Sequence, residues 1–348
     1  MRHDAVTGWD LGGAHLKAAA VNSDGRVERV IVLPCPLWLG LHHLETAAGT
    51  ALSLLDGDSR RHALTLTGEL ADIFSDRREG VRTLVQFMTA HLPGRELLVY
   101  AGPAGFCTPE AIANYPEQAA SANWLASATF AASRVGAGLF VDIGSTTTDI
   151  VLFTAGRVHN RGYTDHERLH YEEIVYTGVV RTPVAALTTR VPFAGEWLSL
   201  MAEQFATLAD VHRLTGALPA DADLLPSADG GPKTVEASAR RLARMVGLDV
   251  DAAPLDAWRR LARHLSELQL QRLQAACERA LSRGLVESTV PVIGAGVGRF
   301  LAERLAARLG SPYTDFGSLL QTNGAVDCLR AADCAPAVAV AELARTWA

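Results

Sequence analysis

Apolar positions in the first hundred residues fall in short β-rich runs separated by longer stretches of helical period. The runs Ala5 to Trp9, Leu16 to Val21, Val27 to Leu33, Ala63 to Thr67 and Leu97 to Ala101 predict strands of one sheet. Asn22-Ser23-Asp24-Gly25 joins the second and third runs with residues that tolerate positive φ, which predicts a hairpin and makes the first three strands a meander. Leu41 to Leu55 and Gly80 to His91 carry helical period, and each returns to a further strand, the alternation of an α/β layer.

The pattern then restarts. Gly138 to Ile143, Thr148 to Phe153 and Arg157 to Gly162 predict a second strand series, so the chain reads as two related halves. Between them Glu117 to Ser133 reads as one Ala-rich connecting helix, and Asp229 to Gly284 is almost wholly helical in pattern. A last strand, Val290 to Ile293, enters a Gly-rich turn and a helix from Arg299 to Leu309; Ala217 to Pro232 is the expected loop.

Composition narrows the function classes. At 348 residues the chain exceeds the size of one usual core, which favours two lobes. With 49% apolar residues, 20% charged residues and a net charge of -6, it reads as an ordinary globular protein. Arg240, Arg241 and Arg244, like Arg259, Arg260 and Arg263, recur at helical spacing among Leu and Ala, so they read as solvated helix faces, with no nucleic acid as partner. Five scattered cysteines without CxxC argue against a disulfide framework or zinc site, and no leader or membrane span is visible; a cytoplasmic setting is expected.

Three Gly-rich elements carry candidate chemistry. Gly8-Trp9-Asp10-Leu11-Gly12-Gly13-Ala14 ends the first strand, with Lys17 on the next. Val141-Asp142-Ile143-Gly144-Ser145-Thr146-Thr147-Thr148-Asp149 repeats a strand ending in Asp-x-Gly, now followed by hydroxyls. Glycines let the backbone approach phosphate oxygens, and strand-end carboxylates suit Mg²⁺. Gly294-Ala295-Gly296-Val297-Gly298-Arg299 resembles a dinucleotide fingerprint, but it closes the second half instead of opening a βαβ unit, so a Rossmann domain is the lesser reading.

Taken in order, these elements resemble the phosphate-1, phosphate-2 and adenosine loops of the sugar kinase, heat-shock 70 and actin superfamily. The resemblance implies a two-domain actin-like ATPase (ribonuclease H-like) α/β fold with mixed sheets and an interdomain cleft. It places the first domain at 1–134, the second at 135–317 and a C-terminal helix returning to the first at 318–348.

Within it, the block from Tyr163-Thr164-Asp165 through Arg168-Leu169 to Glu173-Ile174-Val175-Tyr176-Thr177-Gly178-Val179-Val180-Arg181-Thr182-Pro183 resembles the tetrahydromethanopterin-linked C1-transfer proteins of the hydantoinase/oxoprolinase-like branch. Asn123-Trp124, Asp210 to Gly216 and Asp229-Gly230-Gly231 resemble them too. That family includes a synthase of methanofuran biosynthesis, which joins aminomethylfuran diphosphate to the phenol of γ-glutamyltyramine and releases diphosphate.

The resemblance implies Asp10 and Asp142 as Mg²⁺ ligands, Lys17 as a charge partner, and Gly12, Gly13, Ala14, Gly144, Ser145, Thr146 and Thr147 as the phosphate cradle. Asp149, Asp165 and Glu173 become candidate bases, with Arg168 or Arg181 for glutamyl carboxylates. Tyr176, Asn123 and the turn Gly294, Ala295, Gly296 and Gly298 complete the ligand-binding set. Each has a plainer competitor: Asp165 as a helix cap, Arg181 as an ion-pair partner, Tyr176 and Trp124 as packing, and His166 and His170 as a solvated helix end. An ATP-dependent kinase or hydrolase, with ATP or ADP bound, and a nucleotide-sensing module remain the alternatives; a homo-oligomer is left open.

Overall fold

The computed structural model describes residues 4–55, 59–287, 289–322 and 328–347. The expected C-terminal segment from Ser318 onward includes 323–327 and 348, which lie outside the described residues. By internal packing the chain divides into two compact units. Unit 1 takes residues 1–140, 151–173 and 314–348, and unit 2 takes 141–150 and 174–313, a different partition from linear cuts at 134 and 317.

Strands β1 (Val6–Gly12), β2 (His15–Val21) and β3 (Arg26–Pro34) form the antiparallel meander. Asn22 closes its second turn: its Oδ1 accepts from the backbone N–H groups of Asp24 and Arg26, both at 3.0 Å. Helix α1 (Leu41–Leu55) leads to β4 (Arg61–Thr67), parallel to β1, and α2 (Arg77–His91) leads to β5 (Glu96–Tyr100), parallel to β4; β6 (Phe106–Cys107) follows antiparallel to β5. The predicted helix Glu117 to Ser133 is in fact two, α3 (Pro116–Ala119) and α4 (Asn123–Val135), broken where Ser121 takes φ 51°. The break is a tertiary effect: the Ser121 hydroxyl is hydrogen-bonded to a buried carboxyl group on another element, which periodicity cannot register.

The second series comprises β7 (Gly138–Ile143), β8 (Thr148–Thr154), β9 (Arg157–Val158), α5 (Asp165–His170) and β10 (Ile174–Val175). The strand expected from Arg157 to Gly162 stops at Val158, because the Glu173 carboxylate accepts the N–H groups of Arg161 (2.6 Å) and Gly162 (3.0 Å) and bends the chain away. An unforeseen hairpin, β11 (Arg190–Phe193) and β12 (Glu196–Ser199), precedes α6 (Leu208–Thr215), α7 (Val235–Met245) and α8 (Leu255–Leu281). Strand β13 (Val292–Ala295), α9 (Arg299–Leu309), β14 (Tyr313–Asp315), β15 (Gln321–Thr322), α10 (Cys328–Asp333) and α11 (Ala335–Arg345) complete the order. One mixed sheet runs β15-β3-β2-β1-β4-β5-β6; the other runs β10-β8-β7-β13-β14, with β9 beside β8.

Strand β1 is buried along nearly its whole length, as a central strand covered on both faces must be. One cover is α11, in which the side chains from Ala335 to Ala341 are small or β-branched and buried. A Cβ on Gly8 would lie 1.9 Å from the Ala337 carbonyl oxygen, so glycine is what lets strand and helix approach this closely. In unit 2, Trp258 anchors the helical core: Phe193 stacks on its ring, and its Nε1–H donates to the Val250 and Ala253 carbonyls. Arg241, fully buried, donates to Asp210 and Asp229, both at 2.9 Å, which ties the 217–232 loop to α7. Among the described residues no helix is long and apolar enough to cross a membrane.

Two buried histidines set an acid limit to stability. Burial, reinforced by Arg95, holds His62 down to about 4, and burial holds His212 to about 4. Because these folded values lie below the ordinary 6.5, the unfolded chain takes up protons that the folded chain refuses as pH falls through that window. Each histidine is expected to withdraw about 2–3 kcal/mol of stability between pH ~6.5 and ~4. Urea unfolding of His212→Gln beside the parent at both ends of the window should show a smaller loss in the variant; equal losses would contradict the assignment.

Candidate functional site

In unit 2 the second Asp/Gly element forms a clamped loop. Gly144 N–H donates to the Thr147 carbonyl at 2.9 Å, closing the turn between β7 and β8. The Gly144 carbonyl accepts from Val179 N–H at 3.0 Å, and the Ser145 carbonyl accepts from Val180 at 3.1 Å and Arg181 at 2.9 Å. Both carbonyls are thus satisfied by the 178–181 segment, which holds the loop in a fixed shape. A Cβ on Gly178 would lie 2.4 Å from the Ser145 carbonyl carbon, so this contact requires glycine.

The turn after β13 closes on the same loop. Gly298 N–H donates to the Ile143 carbonyl at 2.8 Å. Gly296, at φ 77°, would place a Cβ 2.3 Å from Asp142 Oδ1. Its backbone therefore lies directly against the Asp142 carboxylate, which is itself mostly buried. Beneath the clamp runs a buried polar chain. Gln269 Nε2 donates to Thr177 Oγ1 (3.1 Å) and the Gly178 carbonyl (3.0 Å), Gln269 Oε1 pairs with His212 Nε2 at 2.8 Å, and Thr148 Oγ1 donates to the Thr177 carbonyl at 2.7 Å. Such a chain, satisfied inside the core, stiffens what stands on it.

In unit 1, Asp10 and Lys17 face each other across the β1–β2 hairpin, and Thr65 on β4 is the other neighbour of Asp10, so the three share one side of the sheet. Asp10 is buried and Lys17 half-buried. The turn Gly12, Gly13, Ala14 is anchored through its carbonyls, Gly13 accepting from Leu37 N–H at 3.0 Å and Ala14 from Cys35 at 2.8 Å. A second constellation gathers Glu69, Ser121, Asp165 and Arg77: Arg77 pairs with Asp165 at 2.7 Å, and Ser121 Oγ lies 2.8 Å from Glu69 Oε1 and 3.2 Å from Asp165 Oδ2.

Several sequence-predicted residues take other places. Arg168 is buried, its guanidinium stacked 3.9 Å over the Trp124 ring and donating to the Glu173 carbonyl, so it is a packing cation instead of a receptor for substrate carboxylates. Glu173 holds the 161–162 backbone, as described above. Asp165 is not the helix cap; Thr164 is, in a reciprocal box with Glu167. Asn123 Oδ1 accepts from the Trp124 N–H at the start of α4. Gly294 and Ala295 belong to β13 instead of a ligand turn, and the Tyr313 ring fills the space a Gly294 side chain would need. Asp149 is a buried strand residue facing Ile174.

Gly296 and Gly298 do meet the Asp142–Ile143 stretch that leads into the hydroxyl run Ser145, Thr146 and Thr147. Tyr176 is exposed, and burial lowers the ordinary pKa of the half-buried Arg181. His166 and His170 are exposed on α5, and no group of three or more metal-ligating side chains occurs among the described residues. Sequence reasoning missed Glu69, Arg77, Ser121, Gln269 and His212. Only Glu69, just past the end of β4, stood where a strand-end reading had a reason to look.

The sequence model of the hydantoinase/oxoprolinase family matches residues 60–325. The chain belongs to the hydantoinase/oxoprolinase family. A curated relative from Methanocaldococcus jannaschii is 30% identical over 246 residues, 70% of this chain and 72% of that one. It is named as the synthase of a furan-2-yl methanamine bearing a γ-L-glutamylaminoethyl-phenoxymethyl group. A Methanococcus vannielii protein of the same name is 29% identical over 118 residues, 34% of this chain and 53% of that one. This family member is accordingly an enzyme of the synthase, or transferase, class.

Among solved structures, a nucleotide-free acetone carboxylase superposes with TM-score 0.54 at 12% identity, covering 89% of this chain and 68% of that one. A ROK-family glucokinase from Streptomyces griseus, in complex with glucose and AMPPNP, gives TM-score 0.50 at 14% identity over 99% and 100%. The fold is the α/β, mixed-sheet fold of the actin-like ATPases and sugar kinases.

Proposed function

We propose that this hydantoinase/oxoprolinase family member forms an aryl ether by displacing diphosphate. The relatives' name supplies the bond: a phenoxymethyl-furan is a phenol oxygen joined to a furan methylene, with γ-glutamyltyramine as the phenol. The donor in this proposal is aminomethylfuran diphosphate. The O–CH2 bond forms as the CH2–O bond to diphosphate breaks; the leaving group departs with the bonding pair, and the phenol proton passes to a carboxylate base.

The observation that carries the reading is the clamped 144–147 loop. Its carbonyls are tied to Val179, Val180 and Arg181, beside the Asp142 carboxylate and a run of hydroxyls. A rigid loop of glycine and hydroxyl residues suits the oxygens of a diphosphate, and preorganised donors stabilise charge as it develops on the leaving group. Asp142, a hard oxygen donor against Gly296, fits Mg²⁺; a bound Mg²⁺ would neutralise the departing diphosphate. Asp10 with Lys17 is the matching strand-end element of unit 1. Arg181 and Tyr176 are assigned to the glutamyl-amine end of the acceptor, and Asp165 to the proton.

The test is ³¹P NMR of the protein with Mg²⁺, aminomethylfuran diphosphate and γ-glutamyltyramine, beside an ATP-only sample. Phenol-dependent diphosphate release is expected. ATP breakdown without that release would replace this reading by a kinase or hydrolase, and silence in both samples would refute it in favour of a binding module.

A further inference from the structure

Ser121 is a strained residue in a buried place. At φ 51° it occupies the left-handed region that a non-glycine residue adopts at a cost, and it is 8% exposed. Its hydroxyl lies between two carboxyl groups, 2.8 Å from Glu69 Oε1 and 3.2 Å from Asp165 Oδ2. A hydroxyl carries one proton and donates once. Both contacts, at 2.8 and 3.2 Å, become hydrogen bonds at once when one of the carboxyl groups carries a proton of its own.

The surroundings decide which carboxyl group holds it. Asp165 is paired with Arg77 at 2.7 Å, and its side chain is 15% exposed, so it is solvated and charge-balanced. Glu69 is 1% exposed, and its Oε2 has no hydrogen-bond partner among the described residues. A buried carboxylate with an unpaired oxygen is costly, whereas an un-ionised acid leaves only a carbonyl oxygen unpaired. The direction of its titration agrees: burial raises Glu69 above the ordinary 4.5 and Asp165 adds to the rise, while Ser121, the backbone N–H of Glu69 itself and Arg77 oppose it.

We propose that Glu69 is a positioning residue that acts un-ionised: its O–H donates to Ser121 Oγ, the Ser121 O–H donates to Asp165 Oδ2, and Asp165 is thereby fixed between Ser121 and Arg77. The outward end of the chain is Asp165, which rests on the reading above for its role as the base that takes the phenol proton. Glu69 touches no substrate in this scheme. It sets the direction of one hydroxyl, and the strain at Ser121 is the cost of placing that hydroxyl between the carboxyl groups. The charged groups facing Glu69 are Asp165 on α5 and Arg77 on α2; the α3–α4 break contributes only the neutral Ser121.

Isotope-edited infrared difference spectra of the parent and Glu69→Gln decide the protonation state without any turnover. An un-ionised carboxylic acid band near neutral pH, absent from the variant, is expected. Its absence from the parent would overturn the proposal.

Thermal midpoints give a second reading. A folded value raised above 4.5 makes Glu69 favour the fold only at low pH, so the parent should lose stability relative to Glu69→Gln as pH rises from there. A pH-independent difference would equally overturn the proposal. In turnover, Glu69→Gln should retain activity within about threefold, because its amide N–H still donates to Ser121, whereas Glu69→Leu and Ser121→Ala should each lower kcat about tenfold or more with KM little changed. Ser121→Gly should raise the thermal midpoint while losing the same activity. If no substrate turns over, the functional reading fails, while the infrared and thermal results still decide Glu69.

Discussion

Asp142→Asn is expected to lower diphosphate release about 100- to 1,000-fold and leave the fold intact. The side chain sits at the end of β7 with Oδ1 against the Gly296 backbone, so a nearly isosteric amide keeps that packing and removes only the charge. Loss of a carboxylate that binds Mg²⁺ should also raise the Mg²⁺ concentration needed for half-maximal rate. Steady-state kinetics across a Mg²⁺ titration, with near-ultraviolet circular dichroism as the fold control, measures both. Parent-like turnover by a folded Asp142→Asn would remove the residue from the site.

Gly178→Ala is expected to damage both stability and activity. The added methyl would meet the Ser145 carbonyl carbon at 2.4 Å and the Gly144 and Ser145 carbonyl oxygens at 2.5 Å each. All three are backbone atoms, which cannot swing aside as a long side chain would. Either the loop leaves its three N–H donors at Val179, Val180 and Arg181 or the 178–181 segment is pushed away from it, at a cost of about 2–3 kcal/mol. The same movement should cut kcat/KM about 100-fold, as a small misplacement at a reacting centre does. Gly49→Ala, in α1 with no atom within 4 Å of the new methyl, is the contrast and should gain about 0.5–1 kcal/mol. Urea unfolding of both variants checks the pair; equal stabilities would show that the clamp is loose.

Much of the fold was legible because its signals are local. The meander, α1, β7 and α9 follow from apolar runs, an Asn-Ser-Asp-Gly turn and helical period, and their observed bounds lie within a few residues of those predicted. What failed was decided at a distance. The connecting helix breaks because Ser121 answers Glu69, and the third strand of the second half ends early because Glu173 gathers the backbone of Arg161 and Gly162.

The site divides in the same way. Repeated Asp-x-Gly elements at strand ends single out Asp10, Asp142 and the 144–147 loop in the sequence itself. Glycine as a packing requirement, in contrast, is visible only once a second element lies against it: in the sequence Gly178 is one position of a motif, and its role emerges from the 2.4 Å approach to Ser145. Arg168 illustrates the converse error, since a cation in a polar block reads as a receptor until the ring beneath it, Trp124, is seen. Gln269 and His212 lie on helices with no motif at all, and their part in supporting Thr177 and Gly178 was beyond reach of sequence alone.

The seat of α11 on β1 bears on how the protein is made. The helix that covers Gly8 is translated more than three hundred residues after the strand it covers. Until residues 335–345 clear the ribosome, one apolar flank of the first sheet has no lid, and the nascent chain must be shielded or stay loosely collapsed. Unit 1 is therefore completed only after the 174–313 segment of unit 2 has been made, and stalled or truncated products lacking this helix should be the species that chaperones retain.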